Sequence, residues 1–324
     1  MLILVGVFDL GLTGKYIALL CGTSASVLIS TWVLWQEGLL RFKFSLPMLK
    51  ESLLFSIPLV PSIASSWIAG LSDRVILSWY GSLAETGIYS VGYGIGKGLS
   101  LFTESVFMVY GPMIYAMLKK DTDIARIRIE RFVPYFFMFM LWVFMASSLF
   151  AEELVTVMTT GDYVSAVSVV PVILFARFLG SQYKAFVNIL SYERKTLVIS
   201  SGAILMAIVN LGANLIFVPL FGKMAAAWAT AASVGIYTLW MIGWSQKSFY
   251  MKLDYRRMFI AGVIVGLTWG SYQVLVSLSM FTTTFLTGIG IKVLLLLSVM
   301  AAMWVSGCIL PADKQRIRNR LTRI

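Results

Sequence analysis

The chain has 324 residues, 59% hydrophobic and only 13% charged, with a mean hydropathy of +0.86. A soluble domain carries about 25% charged residues, so this composition excludes an ordinary water-soluble globule. With no histidine, and with Cys21 and Cys308 far apart in apolar runs, histidine relays, a disulfide framework and a CxxC metal site are excluded as well, and neither cofactor nor metal is expected.

Apolar runs of 18 or more residues recur along the chain and do not alternate as the short strands of a membrane barrel would. The expected fold class is therefore all-α, a polytopic membrane helix bundle. Nine spans are predicted, at 15–35, 55–79, 85–117, 132–151, 164–189, 197–218, 224–245, 258–279 and 285–310. Ahead of them, Met1–Leu10 is apolar but lacks a basic n-region and carries Asp9 at its end. It is a poor signal peptide and too short to cross, and it reads as the end of a helix that starts upstream.

The loops set the expected orientation. On one side lie Arg41, Lys43 and Lys50, then Lys119, Lys120, Arg126, Arg128 and Arg131, then Arg194 and Lys195. Lys247, Lys252, Arg256 and Arg257 follow, and Lys314, Arg316, Arg318, Arg320 and Arg323 end the chain, 19 basic residues in all. The other side has Lys15 and Lys223, with Glu152, Glu153 and Asp162 in its longest loop. Positive residues stay inside, so the C-terminus is expected in the cytoplasm and the N-terminus outside. The tail Asp313–Ile324 alternates basic residues with Ile317, Leu321 and Ile324, which suits either a short interfacial helix on anionic lipid or a solvated flank. Because the cationic segments are membrane flanks, no nucleic-acid partner is expected.

Charges inside the spans are the informative residues, since each costs roughly 2.5–3.5 kcal/mol at a helix centre unless it faces a watery cavity or a partner. The second span carries Asp73 and Arg74, and the third carries Ser90, Lys97 and Glu104 at seven-residue steps, with Tyr93 and Ser100 between. Seven residues is close to two turns, so this set forms one polar stripe. Arg177, Ser181, Lys184 and Asn188 form a second stripe on the fifth span. Lys184 lies close enough to the cytoplasmic end to snorkel instead, and Lys292 reads as snorkelling or locally paired. Folding the second span back on the third leaves Lys97 about 9 Å deeper than Asp73, so a direct bridge needs tilt, and an ion pair with another helix remains open for Asp73 and Arg74. Pro58 and Pro61 predict a bend in the second span. Asn210 and Asn214, with Pro219, Gly222 and the small-residue run Ala225–Ser233, predict a tight packing hairpin rather than a binding site.

Ser56-Ile-Pro-Leu-Val-Pro, Leu71-Ser-Asp-Arg-Val-Ile-Leu, Gly87-Ile-Tyr-Ser-Val-Gly-Tyr and Asn214-Leu-Ile-Phe-Val-Pro-Leu-Phe-Gly resemble, in this order and spacing, the Wzx-like oligosaccharide flippases of the multidrug/oligosaccharidyl-lipid/polysaccharide (MATE/MOP) superfamily. Glu153–Leu174 resembles that family's outer turn and following helix. The resemblance implies a carrier, not an enzyme, that moves undecaprenyl-pyrophosphate-linked oligosaccharide across the bacterial cytoplasmic membrane for O-antigen or capsule assembly. It implies residues 1–51 as the end of a first lobe, 52–246 as a six-helix second lobe, and 247–324 as two extra spans with the basic tail. About five spans of the family pattern are then missing, so a truncated form, or one paired with a separately encoded first lobe or with other assembly proteins, is implied. Lys97, Arg177, Lys184, Arg74 and Tyr93 are the expected substrate contacts, and Glu104 and Asp73 the expected ion-coupling or charge-balancing acids. A multidrug antiporter, a membrane polysaccharide polymerase and a non-functional remnant or accessory subunit are the alternatives. Excess intramembrane bases count against the first, and short outer loops against the second.

Overall fold

The computed structural model describes residues 11–40, 44–159, 161–277 and 285–310. The expectations placed on Met1–Leu10, on Arg41 and Lys43, and on the basic tail lie outside these residues. Every regular element described is helical. The fold divides into two units, Met1–Leu53 and Leu54–Ile324. The first holds α1 (Gly11–Gln36), a 26-residue apolar helix.

The second unit holds the end of α2 (Leu46–Ser56) and everything after it. Pro58 and Pro61 break the helical ladder as expected. A 3-10 turn, Ile57–Leu59, intervenes, and α3 (Val60–Tyr80) starts with proline in its first turn, where the missing N–H costs nothing. The Pro58 carbonyl freed by this break accepts a hydrogen bond from the Ser200 hydroxyl. A tight turn at Gly81 leads to α4 (Leu83–Lys120), capped by the Ser82 hydroxyl on the Glu85 amide at 3.1 Å. At 38 residues α4 is about 57 Å long, well beyond the roughly 30 Å hydrocarbon layer.

The basic stretch 119–131, expected to be a loop, is mostly helix. Asp121 accepts from the amides of Asp123 and Ile124 at 2.9 and 3.0 Å and thereby starts α5 (Thr122–Leu149) ten residues early. α5 is the most deeply covered span and the centre of the larger core. A short α6 (Ala151–Met158) and a 3-10 helix, Gly161–Ser168, lead to α7 (Val170–Gln182) and α8 (Lys184–Tyr192). This fifth crossing is not the single straight helix expected. It bends by 54° after the 3-10 segment and breaks again at Tyr183. The second break follows from side chains that compete for backbone. The Ser181 hydroxyl and the Gln182 amide both donate to the Phe178 carbonyl, at 2.6 and 3.2 Å.

α9 runs from Thr196 to Ser248 with one non-helical residue, Gly222, at φ 56° and ψ −139°. In a straight helix Val198 and Trp240 would be roughly 63 Å apart, yet the Trp240 indole donates to the Val198 carbonyl at 3.1 Å. α9 is therefore a hairpin of two crossing limbs, turned by a glycine in a conformation closed to other residues. α10 (Tyr255–Ser277) and α11 (Phe285–Val305) pack onto α5, with Trp269 donating to the Ser148 hydroxyl at 2.9 Å and Lys292 bonded to Glu153 at 2.5 Å. Lys292 is thus locally paired. Seven helices are long and apolar enough to cross a membrane, the bent α7–α8 unit adds an eighth, and the α9 hairpin splits into two. These nine segments of the described residues follow the nine predicted spans in order.

Candidate functional site

The α4–α7 contact builds the site. Gly92 and Gly96 sit one turn apart on α4, and a Cβ at Gly96 would come within 2.6 Å of Ile173 Cγ2. Small residues at this spacing let the two backbones approach closely. Arg177, one turn beyond Ile173 on α7, is thereby brought over the ring of Tyr93, with its guanidinium carbon 4.3 Å from the ring centroid. Arg74 of α3 reaches the same ring at 4.5 Å, and the Lys97 ammonium lies at 5.9 Å. Arg74 is oriented by bonds from Nε to the Ser90 hydroxyl (3.1 Å) and from Nη1 to the Gly70 carbonyl (3.0 Å). Arg177 Nε is buried with no hydrogen-bond partner. Three cations thus converge on one aromatic ring, and one of them holds an unused buried donor.

Beside this cluster lies a cavity of about 410 Å³, within the usual range for small-molecule sites, about 300–1,000 Å³. Its walls include Ser62, Ser66, Tyr93, Glu104, Arg177 and Lys184. Glu104 and Lys184 pair at 2.9 Å, so the acid on the α4 stripe neutralises the lysine of the other stripe. Lys97 is exposed at the margin and does not line the cavity.

Asp73 does not line this cavity, although its neighbours Asn210 and Thr230 do. It is completely buried and accepts three hydrogen bonds from neutral groups: Tyr89 at 2.6 Å, Thr230 at 2.8 Å and Asn214 at 2.7 Å. Among the described residues it has no basic partner, so the ion pair left open for Asp73 is not what the structure contains. Asn210 completes the cluster, bonded to Ser72 at 2.9 Å.

Residues 3–168 match the family profile described as polysaccharide biosynthesis protein. The chain belongs to the polysaccharide biosynthesis protein family. No curated protein sequence matches it significantly. Among solved structures, it is similar to a MOP superfamily transporter from Pyrococcus furiosus, described as having a binding pocket of reverse polarity, with 19% identity over 69% of this chain and 53% of that one and a TM-score of 0.50. It is likewise similar to an outward-facing multidrug resistance MATE family transporter, with 18% identity over 78% of this chain and 62% of that one, again at 0.50. The fold is therefore that of MATE/MOP transporters, and the chain spans 53% and 62% of the length of these two proteins.

Of the site residues expected from the sequence of this family member, Arg74, Tyr93, Lys97 and Arg177 come together, and Glu104 and Lys184 pair a short way off along the cavity. Asp73 is buried apart from them, against the α9 hairpin. Sequence reasoning missed Asn210, Asn214 and Thr230 as partners of Asp73. The α9 hairpin does pack tightly, with Ala225, Ala226 and Ala227 buried, but it is also a polar wall, which corrects the reading of it as packing alone. A signal for this was present. Asp73 and Tyr89 each lie eight residues from Gly81, and Asn214 and Thr230 each lie eight residues from Gly222. At 1.5 Å per residue all four sit at one depth, about 12 Å from the turns.

Proposed function

We propose that this chain is the cation-lined half of a carrier that flips undecaprenyl-pyrophosphate-linked oligosaccharide across the bacterial cytoplasmic membrane, with its C-terminus in the cytoplasm. The observation that carries the reading is the convergence of Arg74, Lys97 and Arg177 on Tyr93. A diphosphate is a dense anion that guanidinium groups bind through charge-assisted, bidentate hydrogen bonds, and in a low-dielectric bundle it supplies the charge the cluster lacks. The unused Arg177 Nε supports this role. A carrier of organic cations would need the opposite polarity, and the acid lining the cavity, Glu104, is already neutralised by Lys184.

Tyr93 holds the cations in register, and the hydroxyls of Ser62, Ser66 and Ser100 offer hydrogen bonds to a first sugar at the cavity wall. The working transporter consists of this lobe and a partner lobe that closes the cavity from the other side, supplied by the same polypeptide upstream or by a separate chain.

A charge-assisted hydrogen bond contributes about 1.5–3 kcal/mol, so losing Arg177 should weaken diphosphate binding by about 10- to 150-fold. In the complete transport system, Lys97→Ala and Arg177→Ala are expected to abolish surface glycan at unchanged protein level. Normal glycan in both variants sinks the reading.

A further inference from the structure

The helices that carry the cation cluster are joined through one buried side chain. We propose that Asp73 is a positioning residue for the anion site: it touches no ligand, and it sets Arg74 over Tyr93 by tying α3 to α4 and to both limbs of the α9 hairpin. The proposal rests on the reading of Arg74, Tyr93 and Arg177 as the place where a diphosphate binds.

Asp73 Oδ2 accepts from Tyr89 of α4 at 2.6 Å and from Thr230 of the second α9 limb at 2.8 Å. Oδ1 accepts from Asn214 of the first limb at 2.7 Å. A single carboxylate thus joins four crossing segments at one depth. Apolar contacts between helices are non-directional and tolerate sliding. Hydrogen bonds to a buried charge do not, because stretching any of them strips a group that water cannot reach.

The register between α3 and α4 is set twice. Tyr89 lies 16 residues from Asp73, and Ser90, which accepts from Arg74 Nε at 3.1 Å, lies 16 residues from Arg74. These two bonds are successive rungs, and they leave α3 about 100° apart around its axis. Together they fix the rotation of the helix, which one rung alone leaves free. Tyr93 follows Tyr89 by one turn, with ring centroids 6.1 Å apart, so the rung that holds Tyr89 also places the ring under Arg74 and Arg177.

A carboxylate suits this task better than an amide. Its bonds are charge-assisted, roughly twice as strong as neutral ones, and both of its oxygens accept. An asparagine at position 73 would turn an NH₂ group toward the NH₂ of Asn214. The charge also has a consequence of known sign. A negative group near an anion site lowers anion affinity by Coulomb interaction. By charge alone, loss of Asp73 therefore strengthens anion binding, whereas by position it weakens it.

The test uses the purified full chain in detergent micelles, with 3-fluorotyrosine at position 93 as a ¹⁹F NMR reporter and inorganic pyrophosphate as the titrant. Arg74→Gln supplies the resonance of a ring without that cation. Asp73→Asn and Thr230→Val, the latter neutral and close in shape, should both move the Tyr93 resonance toward that reference. Both should weaken pyrophosphate binding by about tenfold, a usual cost of losing a group that orients a binding side chain. The double variant Asp73→Asn/Asn214→Asp, which moves the carboxylate across the same bond, should recover most of both signals. A Tyr93 resonance that stays in place in Thr230→Val overturns the proposal, even if thermal stability falls, as does stronger pyrophosphate binding in Asp73→Asn. Should Asp73→Asn fail to fold, Thr230→Val and the double variant decide. If the unmodified chain binds no pyrophosphate, the anion reading fails, and the ligand-free ¹⁹F shifts still decide whether Asp73 positions Arg74.

Discussion

Lys292 and Glu153 offer the sharpest test of the packing that supports the site. Their side chains are 7% and 21% exposed, their charged atoms are 2.5 Å apart, and the second Glu153 oxygen is buried without a partner. Replacing Lys292 by Met removes the hydrogen-bond partner of an already under-satisfied carboxylate. Breaking a buried pair this way costs about 3–5 kcal/mol, and the residual exposure of Glu153 puts the value near the lower end. Replacing Glu153 by Leu instead strands an ammonium in an apolar span, which costs about 2.5–3.5 kcal/mol. Two separate arguments thus converge on roughly 3 kcal/mol for either single change. The double variant should recover most of both losses, because an apolar pair of similar volume is often neutral or stabilising. Equilibrium unfolding of the purified chain in mixed micelles measures this. Fluorescence reports on the right interface, since the Trp269 indole bonds Ser148 and the Trp142 indole bonds the Leu296 carbonyl. Single variants within about 0.5 kcal/mol of the parent would mean that Lys292 snorkels and the pair is incidental. A double variant as unstable as the sum of the singles would refute the pairing argument outright.

Two further outcomes follow from the site. Glu104→Gln frees Lys184 from its 2.9 Å partner; the pair is partly exposed and worth about 0.2–1 kcal/mol, so pyrophosphate affinity of the purified chain should rise by about 1.4- to 5-fold, and a fall would place Glu104 among the anion ligands. Gly96→Ala forces a Cβ to within 2.6 Å of Ile173, an overpacking that costs about 1–3 kcal/mol and pushes α7 away from Tyr93. It should weaken pyrophosphate binding in titration calorimetry, whereas Gly98→Ala, which meets nothing within 4 Å, should leave it unchanged.

What was legible in the sequence is what depends on local pattern. Hydropathy located all nine crossing segments, and seven-residue spacing located the faces that carry Tyr93, Glu104, Arg177 and Lys184. What was illegible depends on contacts between distant segments or on competition for backbone. Asn214 and Thr230 are 141 and 157 residues from Asp73, and only the shared eight-residue offset from Gly81 and Gly222 hints that they meet. The break at Tyr183 has no proline to announce it and comes from the Ser181 and Gln182 side chains. The partner of Lys292 sits in the α6 segment, read as an acidic outer loop. The early start of α5 is a different case: the Asp121 cap stood in the sequence, overshadowed by the basic residues around it.

The Asp73 cluster and the cation cluster are not independent, because they are built from the same pieces of backbone. Asp73 and Arg74 are neighbours on α3, about 100° apart around the helix, so one faces the α9 hairpin and the other the cation cluster. Tyr89 and Tyr93 are one turn apart on α4, their ring centroids 6.1 Å from each other, and one bonds Asp73 while the other lies under Arg74. A rotation or shift of α3 that disturbs the Asp73 hydrogen bonds must therefore also move Arg74 against Tyr93. Adjacent opposite charges that share one helix are better suited to a lever than to a salt bridge with each other, since their separate faces tie the cation cluster to the α9 hairpin through one element.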